Sequence, residues 1–120
     1  MKTIYVVEDE EKISQLLCTK LANRGYCAIP FFNGADAWQA LCTVALPDLV
    51  ISDVLMPQMT GFELLEKIRT SEKHKNIPLI LLTSISMEED IVKGLEMGAN
   101  DYVVKPFSFA ELAARIKKWA

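Results

Sequence analysis

The chain has 120 residues, 51% of them hydrophobic and 24% charged, which is the balance of an ordinary globular domain and excludes a disordered one. That length suits a single domain burying about two-thirds of its surface on folding. Thirteen basic against sixteen acidic side chains leave a net charge of −3, so no bulk basicity favours nucleic acid or a membrane surface.

The N-terminal stretch turns acidic at Glu8 before a signal-peptide core can form. No apolar run approaches the ~20 residues of a membrane span; the longest, 77–82, contains Pro78. A soluble, cytoplasmic protein without membrane contact is expected. Residues 3–7 read as a first strand, followed by a helix with Ile13, Leu16, Leu17 and Leu21 on its buried face and a stop at Gly25. A second strand covers 26–31, and Ala35, Ala37, Trp38 and Leu41 mark a weaker second helix. The third strand is 49–52; its helix opens on the capping box Thr60-x-x-Glu63 and buries Phe62, Leu64, Leu65 and Ile68. After a strand at 79–82, Ser86-x-x-Glu89 predicts the start of a helix facing inward through Ile91, Val92, Leu95 and Met97, closed by Gly98. A last strand, 102–104, leads to a helix capped by Ser108-x-x-Glu111, with Ala110, Leu112, Ala113 and Ile116 inward.

Strict alternation of strand and helix requires right-handed crossovers and a parallel sheet with helices on both faces. The central runs Tyr5-Val6-Val7, Leu49-Val50-Ile51 and Leu79-Ile80-Leu81-Leu82 are apolar throughout, as strands covered on both sides must be. Cys18, Cys27 and Cys42 are odd in number and lack C-x-x-C spacing, which indicates reduced, mostly buried thiols and neither disulfide framework nor zinc site. His74, the lone histidine, lies between Lys73 and Lys75 and reads as part of a solvated loop, so Ser-His or Cys-His hydrolase chemistry is excluded.

Ligands of open α/β sheets bind beyond the carboxyl ends of the strands, at the point where strand order reverses. Those ends carry Glu8 and Asp9 after the first strand, Asp53 after the third, Thr83 and Ser84 after the fourth, and Lys105-Pro106 after the fifth. Acids gathered on one edge repel one another, and a hard dication with oxygen ligands, Mg²⁺ in particular, relieves that repulsion.

The segments Val6-Val7-Glu8-Asp9-Glu10, Ile51-Ser52-Asp53-Val54-Leu55-Met56-Pro57-x-Met59-x-Gly61, Leu82-Thr83-Ser84 and Gly98-Ala99-Asn100-Asp101-Tyr102-x-x-Lys105-Pro106-Phe107 follow in order. Together they resemble the receiver domain of two-component response regulators, most of all those joined to winged-helix DNA-binding domains. The resemblance covers residues 1–120, which are expected to form one receiver, standing alone or as the N-terminal part of a longer regulator. It implies a doubly wound, flavodoxin-like (βα)5 fold with five parallel strands in the order 2-1-3-4-5.

The resemblance also implies roles. Asp53 is the phosphoacceptor, taking a phosphoryl group from a sensor histidine kinase. Asp9 and Asp53 ligate Mg²⁺ directly, Glu8 acts through water, and the Leu55 backbone carbonyl completes the set. Lys105 and Thr83 contact the phosphoryl group, Tyr102 is the aromatic that moves with Thr83, and Pro106 follows a cis peptide. Such a domain catalyses only its own phosphotransfer and slow dephosphorylation and is not otherwise an enzyme. Glu8 stands where many relatives have Asp, and Ser84 where they usually have Ala. Leu55 and Ile85 fill the positions from which polar side chains of relatives help water attack, so a long-lived phosphorylated state is expected. Phosphorylation is expected to promote a homodimer through the fourth helix, fifth strand and fifth helix, with Asp101 facing Arg115 and Glu96 facing Lys117. Glu111 lacks its basic counterpart, since position 91 is Ile.

Alternative classes fit less well. An Asp-nucleophile phosphatase needs a D-x-D pair, which neither Asp9-Glu10-Glu11 nor Asp53-Val54-Leu55 supplies. An FMN-binding flavodoxin-like module needs a Ser/Thr/Gly-rich phosphate loop where this chain has Glu8-Asp9-Glu10-Glu11.

Overall fold

The computed structural model describes all 120 residues. The elements run β1 (Thr3–Val7), α1 (Glu11–Asn23), β2 (Cys27–Phe31), α2 (Gly34–Thr43), β3 (Leu49–Ser52), α3 (Gly61–Arg69), β4 (Leu79–Thr83), α4 (Glu88–Glu96), β5 (Asp101–Val104) and α5 (Phe109–Trp119). One five-stranded sheet has the order β2-β1-β3-β4-β5, every pair parallel. Strand order reverses between β1 and β3, where Val7 pairs with Ser52. The residues that follow both strands therefore emerge side by side.

Period-two alternation divides the core. Tyr5, Val7, Val50, Leu79 and Leu81 face one side of the sheet, against Leu41 of α2 and Leu64, Leu65 and Ile68 of α3. Ile4, Val6, Leu49, Ile51, Ile80 and Leu82 face the other, against Leu17 and Leu21 of α1 and Leu112 and Ile116 of α5. Each such side chain contributes about 1.5–3 kcal/mol by leaving water. β2 is an edge strand, and its Pro30, paired with Val6, is exposed.

The signals at helix ends succeed where local chemistry acts alone. Thr60 and Glu63 form the full reciprocal box at α3, and the Ser108 side chain accepts from the Glu111 N–H at α5. Gly25 and Gly98 hold positive φ, +89° and +106°, just past α1 and α4. At α4 the expectation fails: the cap is Met87, no side chain bonds there, and Ser86 takes no part. The inward face expected of α4 is also open, with Val92 43% and Leu95 46% exposed. Instead, Gly94 carries the packing, because a Cβ there would lie 2.9 Å from Leu81 Cδ1 and 3.2 Å from Tyr102 Cδ2. Leu16 is likewise exposed; with Ile13, Leu17, Phe107 and Phe109 it lines an open groove of about 610 Å³ between α1 and the start of α5.

His74 is not solvated. It is 3% exposed, its Nε2 lies 2.8 Å from the Leu41 carbonyl, and its Nδ1 lies 2.6 Å from Ser71 Oγ. A carbonyl only accepts, so Nε2 donates to it, and Nδ1 pairs with the serine hydroxyl. The imidazole thereby caps the last turn of α2 and packs against Trp38 at 5.0 Å between ring centroids. The thiols are also more open than expected. Cys42 is exposed on the outer side of α2, while Cys18 at the margin of α1 and Cys27 on the edge strand are half-buried.

Candidate functional site

Three acids meet at the switch point. The Asp53 N–H donates to the Val7 carbonyl at 2.9 Å, extending the β1–β3 ladder by one bond, and the Glu8 N–H donates to the Phe31 carbonyl at 2.9 Å. These bonds fix the backbones from which the carboxylates project. Oxygens of Glu8, Asp9 and Asp53 all lie within 4.8 Å of one another. Glu8 and Asp53 are buried and Asp9 is exposed. Asp53 Oδ1 accepts the Val54 N–H at 2.6 Å, and Glu8 Oε2 accepts the Glu10 N–H at 3.1 Å.

Lys105 enters from the end of β5, where its N–H donates to the Thr83 carbonyl at 2.8 Å and the Lys105–Pro106 peptide is cis. Its Nζ lies 2.7 Å from Glu8 Oε1 and 3.1 Å from Asp53 Oδ2. Burial pushes the Glu8 carboxyl up, against the downward pull of hydrogen bonds from Lys105 and the Glu10 N–H. Burial also works against the Lys105 ammonium, but the Glu8 hydrogen bond and the Asp53 charge outweigh it and raise the amine. An ammonium held between two carboxylates stays charged. It leaves Asp9 without a cation, so the site keeps excess negative charge built of hard oxygens. That donor set fits a divalent cation of the Mg²⁺ type.

Thr83 is fully buried at the end of β4, with Oγ1 accepting the Ile85 N–H at 3.3 Å. The Ile85 carbonyl accepts from Tyr102 OH at 2.8 Å. Burial first, then the charges of Asp90 and Asp53, push the Tyr102 phenol up, keeping it a donor. Thr83 and Tyr102 thus converge on one residue of the β4–α4 loop. Ser84 and Leu55 are exposed, Leu55 on the loop after Asp53.

The acids and bases expected on a dimer face divide differently. Glu96 and Lys117 are exposed. Arg115 is engaged within its own chain, at 2.8 Å from Asp101 Oδ1 and 3.1 Å from Glu111 Oε1. Two residues escaped the sequence reading. Ser52, 1% exposed, donates its hydroxyl to the Asp53 carbonyl at 2.8 Å. A hydroxyl at the end of an otherwise apolar strand was the signal for it. Arg69 donates to the carbonyls of Gly98 at 2.9 Å and Ile77 at 2.7 Å and to Asn100 Oδ1 at 2.9 Å, tying α3 to the turn before β5. Nothing in its local sequence announced those distant acceptors.

Residues 4–117 match the family described as the response regulator receiver domain. Among curated proteins, the transcriptional regulatory protein GltR of Pseudomonas aeruginosa is 44% identical over 116 residues, covering 97% of this chain and 48% of that protein. The probable transcriptional regulator ycf27 of Cyanidium caldarium is 42% identical over 114 residues, 95% of this chain and 44% of the relative. The chain thus spans about half the length of the curated relatives it matches. Among solved structures, the response regulator TrrA of Thermotoga maritima, in complex with Mg²⁺ and BeF, superposes with a TM-score of 0.88 at 38% identity, covering 100% of both chains. The signal receiver domain of a signal transduction histidine kinase from Syntrophus aciditrophicus gives 0.92 at 37% identity, over 99% of this chain and 89% of that one. With the 2-1-3-4-5 sheet, an acid cluster at its switch point and a lysine reaching into it, these likenesses make the chain a member of the response regulator receiver family.

Proposed function

We propose that Asp53 accepts a phosphoryl group from the phosphohistidine of a sensor kinase and that the modified domain drives a transcriptional output. The observation that supports this reading is the placement of Asp53 between a carboxylate cluster and the Lys105 ammonium, 3.1 Å from its Oδ2. An Asp53 oxygen attacks phosphorus, the P–N bond of the donor breaks, and the imidazole leaves with a proton. Lys105 lies where it neutralises charge on the incoming phosphoryl oxygens, a point-charge role. Magnesium held by Glu8 through water, by Asp9 and Asp53, and by the Leu55 carbonyl would supply further neutralisation of that charge. The Thr83 hydroxyl turns from Ile85 to a phosphoryl oxygen, and Tyr102 follows because both meet at Ile85.

The output is assigned by likeness to GltR and ycf27, transcriptional regulators of which this chain spans about half. A DNA-binding domain beyond these residues, and a homodimer through α4, β5 and α5 on phosphorylation, complete the proposal. Incubation with acetyl phosphate and Mg²⁺ tests it. The expected result is a phosphorylated wild-type domain and an unmodified Asp53→Asn variant that keeps the fold. Label persisting on the variant at wild-type levels overturns the assignment of Asp53.

A further inference from the structure

We infer that Ser52 is a positioning residue for the phosphoacceptor: its buried hydroxyl locks the peptide group that orients the Asp53 carboxylate. The inference rests on the reading of Asp53 as acceptor. The Ser52 hydroxyl donates to the Asp53 carbonyl oxygen at 2.8 Å. The amide of that same peptide group, the Val54 N–H, donates to Asp53 Oδ1 at 2.6 Å. A peptide group is planar, with its carbonyl and N–H pointing in opposite directions, so fixing one end fixes the other. The hydroxyl therefore reaches the carboxylate through one rigid unit.

The surroundings make this hydroxyl the clamp. Asp53 lies one residue past β3, and no backbone N–H donates to its carbonyl. Ser52 supplies the donor that the ended ladder cannot. Gly61, the first residue of α3, lies close against the same carbonyl. A Cβ there would overlap that oxygen and lie 2.9 Å from Val54 Cα and 3.0 Å from the Asp53 carbonyl carbon. Gly61 in turn donates its N–H to the Val54 carbonyl at 2.8 Å. The peptides on either side of Val54 are thus held, one by Ser52 and one by Gly61. With Oδ1 tethered to Val54, Oδ2 is the oxygen turned to Lys105. Rotation of the 53–54 peptide would free Oδ1 and let the carboxylate turn away from the ammonium and the other acids. Positional errors of this kind are costly in phosphoryl transfer, where the protein's contribution is alignment and charge.

The test compares wild type with Ser52→Ala and Ser52→Thr, the latter keeping the hydroxyl. In ¹H–¹⁵N spectra of the wild type, the short charge-assisted bond places the Val54 amide proton downfield. In Ser52→Ala that proton moves upfield, and the phosphorylation rate at saturating acetyl phosphate and Mg²⁺ falls about tenfold. Ser52→Thr keeps the amide shift and a rate within about twofold of wild type. A Ser52→Ala variant with an unmoved Val54 amide and a wild-type rate overturns the proposal, whatever its melting temperature. Should Ser52→Ala not fold, Ser52→Cys, a weak donor of similar size, takes its place; an unmoved amide and wild-type rate there overturn the proposal equally. If wild type accepts no phosphoryl group at all, the acceptor reading fails, while the Val54 shift still decides the role of Ser52 in orienting the carboxylate.

Discussion

Arg115 holds Asp101 within a single chain, Nη1 to Oδ1 at 2.8 Å across the β5–α5 connection. The same guanidinium also binds Glu111, and these two acids raise its pKa further, Asp101 more than Glu111. A two-fold dimer that pairs Asp101 with Arg115 of the second copy must first give up this internal pair. The exchange trades like for like.

Dimerisation is therefore expected to draw little from that pair. Exposed ion pairs contribute only about 0.2–1 kcal/mol each, and the exposed Val92 and Leu95 of α4 are left to supply apolar contact. Sedimentation should show a monomer in the unmodified state and a weak dimer with a phosphoryl mimic, loosening as salt rises. A monomer under both conditions at high protein concentration removes support for the dimer.

Asp9 is the exposed member of the acid cluster, and Lys105 pairs with the other two. Asp9→Asn relieves repulsion without breaking an ion pair. The metal-free variant should be slightly more stable than wild type, by about 0.5 kcal/mol. Mg²⁺ should raise the melting temperature of wild type by mass action, contributing about 1.4 kcal/mol at tenfold excess over its dissociation constant. Thermal melts with and without Mg²⁺ read both effects. An Asp9→Asn variant that responds to Mg²⁺ as wild type does contradicts the ligand assignment.

By resemblance, Leu55 and Ile85 fill the positions from which polar side chains of relatives assist water, and neither apolar side chain can orient a water molecule. The aspartyl phosphate should persist, and Leu55→Glu or Ile85→Asn should shorten its life severalfold. Loss of label with a half-life of seconds from wild type, without added phosphatase, is the opposing result.

His74 should matter for stability and not for phosphotransfer. Its removal leaves the Leu41 carbonyl without its imidazole donor and opens the contact with Trp38. His74→Ala is expected to cost about 2 kcal/mol in urea unfolding, with phosphorylation at the wild-type rate. A change below about 0.5 kcal/mol would show the buried imidazole to be dispensable.

Local signals carried most of the fold and the acid cluster. Apolar runs marked every strand to within a residue, most plainly β1, β3 and β4, which are covered on both faces. Asp53, Glu8, Asp9 and Lys105 were legible because strand ends of such a sheet share one edge. What escaped depends on distant partners. His74 looked solvated between two lysines, yet its acceptor is a carbonyl 33 residues away. Ser86 and Glu89 have capping-box spacing, but no side-chain bond caps this helix, whose N-cap is Met87 and whose first residue is Glu88. Val92 and Leu95 have helical spacing that says apolar face without saying which way it turns.

Pro30 has a bearing on how the molecule meets others. Along β2 the Cys27 N–H points inward to the Lys2 carbonyl, so by alternation the amides of Cys27, Ile29 and Phe31 face β1 and that of residue 30 faces outward. Being proline, it has no N–H to offer there. An extended segment arriving at this border finds a gap in the row of donors it would need, which guards against edge-to-edge self-association and fibril growth. Strand addition is thereby disfavoured at the β2 edge.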